Sequence, residues 1–325
     1  MIAVLCPGQG SQTPGMFAPW LEIDGVRARL DELGAAADLD LVAHGTTSDA
    51  ETIRDTAVAQ PLIVAASLVA LREVLGDAPA AGTVDVTAGH SVGELAAAAV
   101  AGVLTDAGAV GLVARRARAM AVAAAAEATG MSAVLGGDPA EVLAAIEAAG
   151  LVPANVNGAG QVVAAGSLEG LARLAEQPPT RARVIPLQVA GAFHSPFMEA
   201  ARAEFAPVAA AWDAADPTLP LVSNLDGAAY TGGAHGFGTA AQVLDHLGRQ
   251  VVAPVRWDLC QETFASLGVT AIVELAPGGV LTGLAKRALK GVELVAVKSP
   301  DDLAAARDLV ARHSGTTIPT EEIPA

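Results

Sequence analysis

The chain has 325 residues, of which 52% are hydrophobic and 17% are charged, and its formal net charge at pH 7 is −16. This length suits two domains or one large domain with an insertion, and the apolar content is ample for a packed core. The acidic balance argues against a nucleic-acid-binding protein, because such a protein needs a basic face for the phosphate backbone.

The first half of the chain is predicted to form an α/β unit. A continuous apolar run, Ile2-Ala3-Val4-Leu5-Cys6, is typical of a buried parallel strand. It ends in Pro7-Gly8-Gln9-Gly10-Ser11-Gln12, a thin loop that lacks the P-loop and Rossmann patterns. The other predicted elements are helices at 26–34 and 57–75, a strand at 84–88, and helices at 94–101 and 106–126. No apolar run reaches the ~18–20 residues that span a bilayer, and the N-terminus lacks a signal-peptide pattern, so we expect a cytoplasmic protein without membrane contact.

A strand, a Gly-x-Ser-x-Gly turn and a helix follow one another around Ser91. In such a turn the serine occupies a strained corner with its hydroxyl exposed, and the two glycines let neighbouring backbone pass close by. The amide of Val92 begins the helix, where it can donate to an oxyanion near the positive end of the helix dipole. An ordinary glycine-rich turn is the alternative, but the flanking strand and helix patterns favour a nucleophile.

Residues 131–189 are predicted to form a β-α-β-β-α-β unit, the split arrangement of ferredoxin-like folds. Its predicted strands lie at 131–136, 152–157, 161–166 and 183–189, and its helices at 139–149 and 168–175. A larger unit then resumes, with helices at 196–212 and about 300–313 and strands at 221–224, 271–275 and 294–297. The predicted division is a large α/β subdomain in two parts (1–128 and 191–313), an inserted ferredoxin-like subdomain (129–190) and a disordered tail (314–325).

A serine nucleophile needs a base, because its hydroxyl is unreactive near neutral pH. His90 adjoins Ser91, but neighbouring residues on a tight turn point apart. His194, in the loop that enters the second part of the large unit, is the preferred candidate among six histidines. No metal site is expected, since histidines, carboxylates and the two cysteines, Cys6 and Cys260, show no ligand spacing. We expect both thiols to be buried and reduced.

Several patterns occur in order along the chain: Pro7–Gln12, Gly89–Glu94, Arg116, Ala192–Ser195, Gln250 and Pro254–Trp257. Together they resemble the malonyl-CoA:acyl-carrier-protein transacylases, a family that includes the acyltransferase domains of polyketide and fatty-acid synthases. The resemblance covers residues 1 to about 312. It implies a hydrolase-like α/β large subdomain with an inserted ferredoxin-like small subdomain, and an active site between them.

The resemblance implies a Ser–His dyad. Ser91 matches the nucleophile and His194 its general base and acid, and the backbone carbonyl of Gln250 matches the group that orients the histidine. The backbone amides of Gln9 and Val92 match the oxyanion hole.

The same resemblance implies how the acyl group is selected. Arg116 matches the arginine that holds the free carboxylate of malonate, a task for which a planar guanidinium suits better than lysine, although Arg115 or Arg118 would be a substitute. Phe193 matches the malonyl-selective version of the family, with core packing as the alternative. Asn157 matches a pocket-lining polar position, with turn capping as the alternative.

The implied activity is a two-step ping-pong transfer that supplies fatty-acid or polyketide synthesis. Malonyl moves from coenzyme A to Ser91 and then to the phosphopantetheine thiol of an acyl carrier protein, a transient partner. No permanently bound cofactor and a monomeric enzyme are expected. Lys286, Arg287 and Lys290, with one of the arginines other than Arg116 in residues 115–118, are a candidate docking patch for the carrier, and a solvated helix face is the alternative. A serine esterase or thioesterase is the alternative function, and a catalytically silent scaffold that binds carrier protein is a further one.

Overall fold

The computed structural model describes residues 1–314, in which ten strands pair into two sheets of five. In chain order the strands are β1 (Ile2–Cys6), β2 (Val86–Gly89), β3 (Thr129–Gly136), β4 (Val152–Gly158), β5 (Gln161–Ser167), β6 (Ala182–Pro186), β7 (Leu221–Val222), β8 (Val255–Arg256), β9 (Ala271–Glu274) and β10 (Glu293–Ala296). The helices are α1 (Val26–Ala37), α2 (Leu41–Thr46), α3 (Thr56–Leu75), α4 (Gly93–Val100), α5 (Asp106–Ala126), α6 (Pro139–Ala148), α7 (Leu168–Glu176), α8 (Glu199–Ala210), α9 (Ala240–Gln250), α10 (Trp257–Ser266), α11 (Val280–Ala288) and α12 (Leu303–His313).

The first sheet is parallel, with the strand order β10-β9-β1-β2-β7. Strand β1 is buried throughout, as its uninterrupted apolar sequence predicts. Its last residue, Cys6, pairs with Gly89 at the end of β2. The loops that leave these two strands therefore start side by side at the carboxyl edge of the sheet, where ligands bind in open α/β folds.

The second sheet has the order β6-β3-β5-β4-β8. Its first four strands, with α6 and α7, form the predicted β-α-β-β-α-β arrangement and pair antiparallel. The predicted fold class, a large α/β unit with a ferredoxin-like one, is confirmed. Strand β8 joins this sheet parallel to β4 although it lies outside residues 129–190. The division of the chain at 128 and 190 into separate folding units stays a prediction.

Helix α3 is the most apolar long helix of the first half of the chain, although Gln60, Arg72 and Glu73 interrupt its apolar sequence. The helix has 20 residues and contains an 18-residue window with a mean hydropathy of 1.7, so by length and composition alone it is a candidate membrane span. However, 72% of the window is buried in the molecule, and the helix packs against α4 and α5. Within residues 1–314 it is a core helix.

Other boundaries differ from the sequence prediction. The predicted helix at 196–212 is a 3-10 turn over Pro196–Met198 followed by α8, and α2 was not predicted. Strand β6 ends at Pro186, and α11 ends before Lys290. The predicted disordered tail lies outside the described residues except for Ser314.

Candidate active site

Ser91 occupies a sharp corner between β2 and α4. Its φ of 55° lies in the left-handed region, which a non-glycine residue rarely adopts. A Cβ atom at Gly89 would lie 1.9 Å from the carbonyl carbon of Gly93, and one at Gly93 would lie 2.2 Å from the carbonyl oxygen of Cys6. Both positions therefore require glycine. The Ser91 amide donates to Asn224 Oδ1 at 2.8 Å, which fixes the corner from the far side.

Ser91 and His194 are in direct contact. The Ser91 Oγ lies 2.6 Å from His194 Nε2, and His194 Nδ1 lies 2.9 Å from the backbone oxygen of Gln250. A carbonyl oxygen only accepts, so the proton of neutral His194 sits on Nδ1 and Nε2 is free to accept from the serine. Burial, and then the charge of Arg116, lower the pKa of His194 to about 3. The imidazole is therefore neutral at physiological pH, as a general base must be.

Arg116 is fully buried on α5. Its Nη1 donates to Gln60 Oε1 at 2.8 Å, and its Nη2 donates to Gln250 Oε1 at 2.7 Å and lies 3.5 Å from Ser91 Oγ. Its Nε has no hydrogen-bond partner among residues 1–314. Burial lowers the pKa of the guanidinium to about 10, which leaves it charged at neutral pH.

The neighbouring arginines do not reach this site. Arg115 is exposed, and Arg118 donates to the backbone oxygen of Ala37 at 2.7 Å. Arg116 shares the buried face of α5 with Leu112 and Met120. That i−4, i+4 spacing is a signal in the sequence that separates Arg116 from the other two.

A cleft of ≈ 220 Å³ opens beside Ser91 and His194, with walls from the loops that follow β1 and β2, from the second sheet and from α11. Its lining residues are Gly8, Gln9, Gln60, His90, Ser91, Met120, Met131, Ala133, Asn155, Asn157, Gln161, Val163, Leu187, Val189, Phe193, His194, Val280, Leu281 and Leu284. The predicted substrate-contacting residues Phe193 and Asn157 are in this lining, whereas Arg116, Val92 and Gln250 lie behind it. The amides of Gln9 and Val92 donate no hydrogen bond within residues 1–314, so both are available to an oxyanion.

Within residues 1–314 His90 makes no side-chain hydrogen bond to Ser91, although both residues line the cleft. Its Nε2 lies 2.9 Å from Asn157 Oδ1, and its ring packs edge-on against Trp257 at a centroid distance of 5.6 Å. The hydrogen bond to Asn157 joins the corner of the first sheet to β4 of the second.

Within residues 1–314 no group of three or more histidine, cysteine, aspartate or glutamate side chains is arranged to hold a metal ion. Cys6 and Cys260 are buried and unpaired with each other.

Sequence reasoning missed three buried polar residues around the site: Gln60, Glu94 as a network member, and Asn224. Gln60 holds Arg116. Asn224 accepts from the Ser91 amide and donates to the backbone oxygen of Gly89 at 2.8 Å. The available signal was a polar side chain inside an otherwise apolar segment, as at Gln60 in α3.

Comparisons with known proteins agree on one family. A family model described as the acyl transferase domain matches residues 4–306. The chain is 54% identical over 303 residues to the malonyl CoA-acyl carrier protein transacylase of Mycobacterium tuberculosis, covering 93% of this chain and 98% of that relative.

Solved structures are similar over the same length. The crystal structure of MCAT from Mycobacterium tuberculosis has a TM-score of 0.88 at 53% identity, covering 94% of this chain and 99% of that one. A chain from the complex of a type II PKS acyl-carrier protein with its malonyl-transacylase has a TM-score of 0.84 at 29% identity, covering 94% of this chain and 99% of that one. The likeness therefore extends over almost the whole molecule.

Proposed function

This chain belongs to the acyl transferase domain family, and from that premise we propose that it is a malonyl-CoA:acyl-carrier-protein S-malonyltransferase. The observation that carries the proposal is a buried, charged Arg116 whose Nη2 lies 3.5 Å from the Ser91 hydroxyl. A guanidinium in that place suits an acyl group that ends in a carboxylate, because it can bind both carboxylate oxygens. An acyl group without a carboxylate would form no such ion pair with Arg116.

In the first half-reaction Ser91 Oγ attacks the thioester carbonyl of malonyl-CoA while His194 Nε2 takes its proton. The resulting oxyanion is held by the amides of Gln9 and Val92, each contributing ~3–4 kcal/mol to the lowering of the barrier. The carbon–sulfur bond then breaks, and His194 returns the proton to the coenzyme A sulfur. The product is a malonyl ester of Ser91.

The second half-reaction uses the same groups in reverse. The phosphopantetheine thiol of an acyl carrier protein gives its proton to His194 and attacks the malonyl ester. The carbon–oxygen bond to Ser91 breaks, and the serine recovers its proton from His194. Because both thiols reach the same ester, the kinetics are ping-pong. Malonyl-CoA and the carrier's phosphopantetheine are the only small-molecule groups that this chemistry requires.

Phe193 supports a preference for malonyl over methylmalonyl groups. Its ring is buried in the cleft lining one residue before His194, so it limits the room for an extra methyl branch. A pocket of this kind separates two substrates that differ by one methyl by ~1–3 kcal/mol. Asn157, which is hydrogen-bonded to His90 and lines the same cleft, is also proposed to contact the substrate.

Carrier docking is proposed at the end of α11. Leu281 and Leu284 of this helix line the cleft, and Lys286 and Arg287 are exposed in its last turn. This places positive charge beside the cleft for an acidic partner, despite the net charge of −16. We place the enzyme in the cytoplasm, as a monomer that meets the carrier transiently.

The test is the intact mass of the protein after brief mixing with malonyl-CoA, for the wild type, Ser91→Ala and Arg116→Ala. We expect a malonyl-sized gain in the wild type, none in Ser91→Ala and much less in Arg116→Ala. Addition of a phosphopantetheine-loaded carrier protein should then remove the gain and transfer it to the carrier.

Two results would oppose the proposal. Release of free malonate that depends on Ser91, without transfer to the carrier, would identify a hydrolase. Absence of both adduct and turnover would identify a scaffold.

A further inference from the structure

Glu94 is a buried carboxylate with no assigned part in the reaction. It lies three residues after Ser91 in the first turn of α4 and is 5% exposed. Its Oε1 accepts from the backbone amide of Asn224 at 2.6 Å, and its Oε2 accepts from Gln250 Nε2. Burying a carboxylate is costly unless it makes such bonds, so its presence calls for a physical reason.

The Gln250 side chain connects Glu94 to Arg116. Its Nε2 donates to Glu94 and to the Ser91 backbone oxygen at 3.0 Å, and its Oε1 accepts from Arg116 Nη2 at 2.7 Å. The amide is therefore oriented by its neighbours, with nitrogen towards the carboxylate and oxygen towards the guanidinium. A rotated amide would place its N–H donors against the Arg116 donors.

When Glu94 is ionised, its negative charge acts on Arg116 without an ion pair that would fill the guanidinium donors. Within residues 1–314 no ion pair joins Arg116 to a carboxylate. Glu94 nevertheless opposes the lowering of the Arg116 pKa that burial causes. A direct salt bridge would fill the guanidinium donors that a substrate carboxylate needs.

Resting on the proposed malonyl transfer, we propose that Glu94 is a positioning residue for acyl selection, which orients the Gln250 amide and keeps Arg116 charged and open to a substrate carboxylate. The role requires two acceptor oxygens, one for Asn224 and one for Gln250. A glutamine at this position has one oxygen that accepts and one NH₂ group that only donates. Its NH₂ group would therefore face an N–H donor, either that of Asn224 or that of Gln250.

The test compares acyl-serine formation from malonyl-CoA and from acetyl-CoA in the wild type and in Glu94→Gln, at a pH above about 8, where the carboxyl of Glu94 is ionised. Acetyl lacks the carboxylate that Arg116 would bind, so we expect the malonyl-to-acetyl rate ratio to fall by about tenfold or more. Both substrates are measured on one sample, so any loss of folded protein cancels in the ratio. In an Arg116→Ala background, Glu94→Gln should change the ratio no further.

Glu274→Gln is the matched control. Glu274 is also fully buried, and its two oxygens accept from the amides of Leu281 and Thr282. We expect this variant to lose stability while it keeps the malonyl-to-acetyl ratio of the wild type. An equal fall for both substrates in Glu94→Gln, or no fall, would overturn the proposal. A wild type that forms no malonyl-serine would instead overturn the proposed function.

A second measurement needs no variant at Glu94. Burial raises the pKa of Glu94 to about 8, while Asn224, Arg116 and Gln250 oppose the rise and Asp226 adds to it. Nearby Tyr230 and Cys260 have pKa values raised well above their usual ones and stay neutral. The wild-type malonyl-to-acetyl ratio should therefore rise as pH increases through about 8. A ratio independent of pH across that range would contradict the proposal.

Discussion

Two regions around the cleft differ in how their positions are fixed. The polar network comprises Ser91, Glu94, Arg116, His194 and Gln250, and its members hold one another through directed hydrogen bonds. The apolar wall comprises Met120, Met131, Ala133, Val163, Leu187 and Phe193, which line the cleft through packing. Most of the wall belongs to or adjoins the second sheet, whereas the network surrounds the corner after β2.

Because the two regions are held by different interactions, substitutions in them should have effects of different size. A hydrogen-bonded group in a buried network leaves unpaired partners when it is removed, so single changes there are expected to be severe. When a packed apolar side chain is replaced by a smaller one, the effect depends on the volume removed and is expected to be smaller here. The network should therefore determine whether the reaction occurs, and the wall should determine which acyl group is preferred.

The largest effect is expected from His194→Ala. Loss of the base should lower the rate of malonyl-serine formation by about 10³-fold or more, measured by rapid quench and intact mass. His246→Ala is the control, because His246 also contacts a serine, Ser223 at 3.2 Å, but lies outside the cleft lining. Similar losses of rate in both variants would show that His194 has no specific role as the base.

Gly93→Ala tests the backbone beneath the network. The added Cβ would meet the Cys6 carbonyl oxygen at 2.2 Å, and backbone cannot move aside cheaply. We expect a loss of about 3 kcal/mol or more in the free energy of unfolding, measured by denaturant titration. Gly283→Ala in α11 meets no atom within 4 Å and should be neutral or stabilise by up to ~1 kcal/mol. A neutral Gly93→Ala would disprove the steric requirement.

Arg116→Lys keeps the charge and removes the planar fork. We expect kcat/KM for malonyl-CoA to fall about 10- to 100-fold and acyl-serine formation from acetyl-CoA to be little changed. Arg118→Lys, on the same helix but turned towards Ala37, should behave as the wild type. Full activity of Arg116→Lys would contradict the proposal that the guanidinium binds both oxygens of the malonyl carboxylate.

Phe193→Ala probes the apolar wall. The added room should shift the methylmalonyl-to-malonyl ratio of kcat/KM upwards by about 5- to 20-fold, which is ~1–2 kcal/mol and lies in the lower part of the range for one methyl group in a pocket. Phe197→Ala is the control, since Phe197 is partly exposed and absent from the cleft lining. A shift in both variants, or in neither, would remove Phe193 from the selectivity of this site.

The smallest effect concerns pH. An ordinary histidine with a pKa of 6.5 would lose its base function as pH falls below that value, but burial lowers the pKa of His194 to about 3. Acyl-serine formation from acetyl-CoA should therefore change by less than about threefold between about pH 5 and pH 7. A rate that falls tenfold per pH unit below about 6.5 would show that the imidazole titrates normally.

Much of the fold was predictable because it follows from local pattern. Three features follow from short stretches of sequence alone. The apolar run at Ile2–Cys6 predicts a buried strand, the glycines at 89 and 93 predict a sharp turn, and the alternation of residues 131–189 predicts strands and helices. Strand β8 was not predictable, because two residues carry no period and its pairing with β4 depends on a neighbour about 100 residues away along the chain. The predicted helix at 196–212 was wrong at its start, where the Ser195 side chain caps a 3-10 turn.

The local sequence pattern was enough to predict the corner that presents Ser91 and, through resemblance, the residues expected to react with it. Which polar side chains meet became visible only in the folded molecule. Gln60 and Gln250 reach Arg116 from positions 56 and 134 residues away along the chain, and Glu94 reaches Gln250 from 156 residues away. Such contacts have no local signature, because a hydrogen bond depends on distance and direction in space and not on separation along the chain.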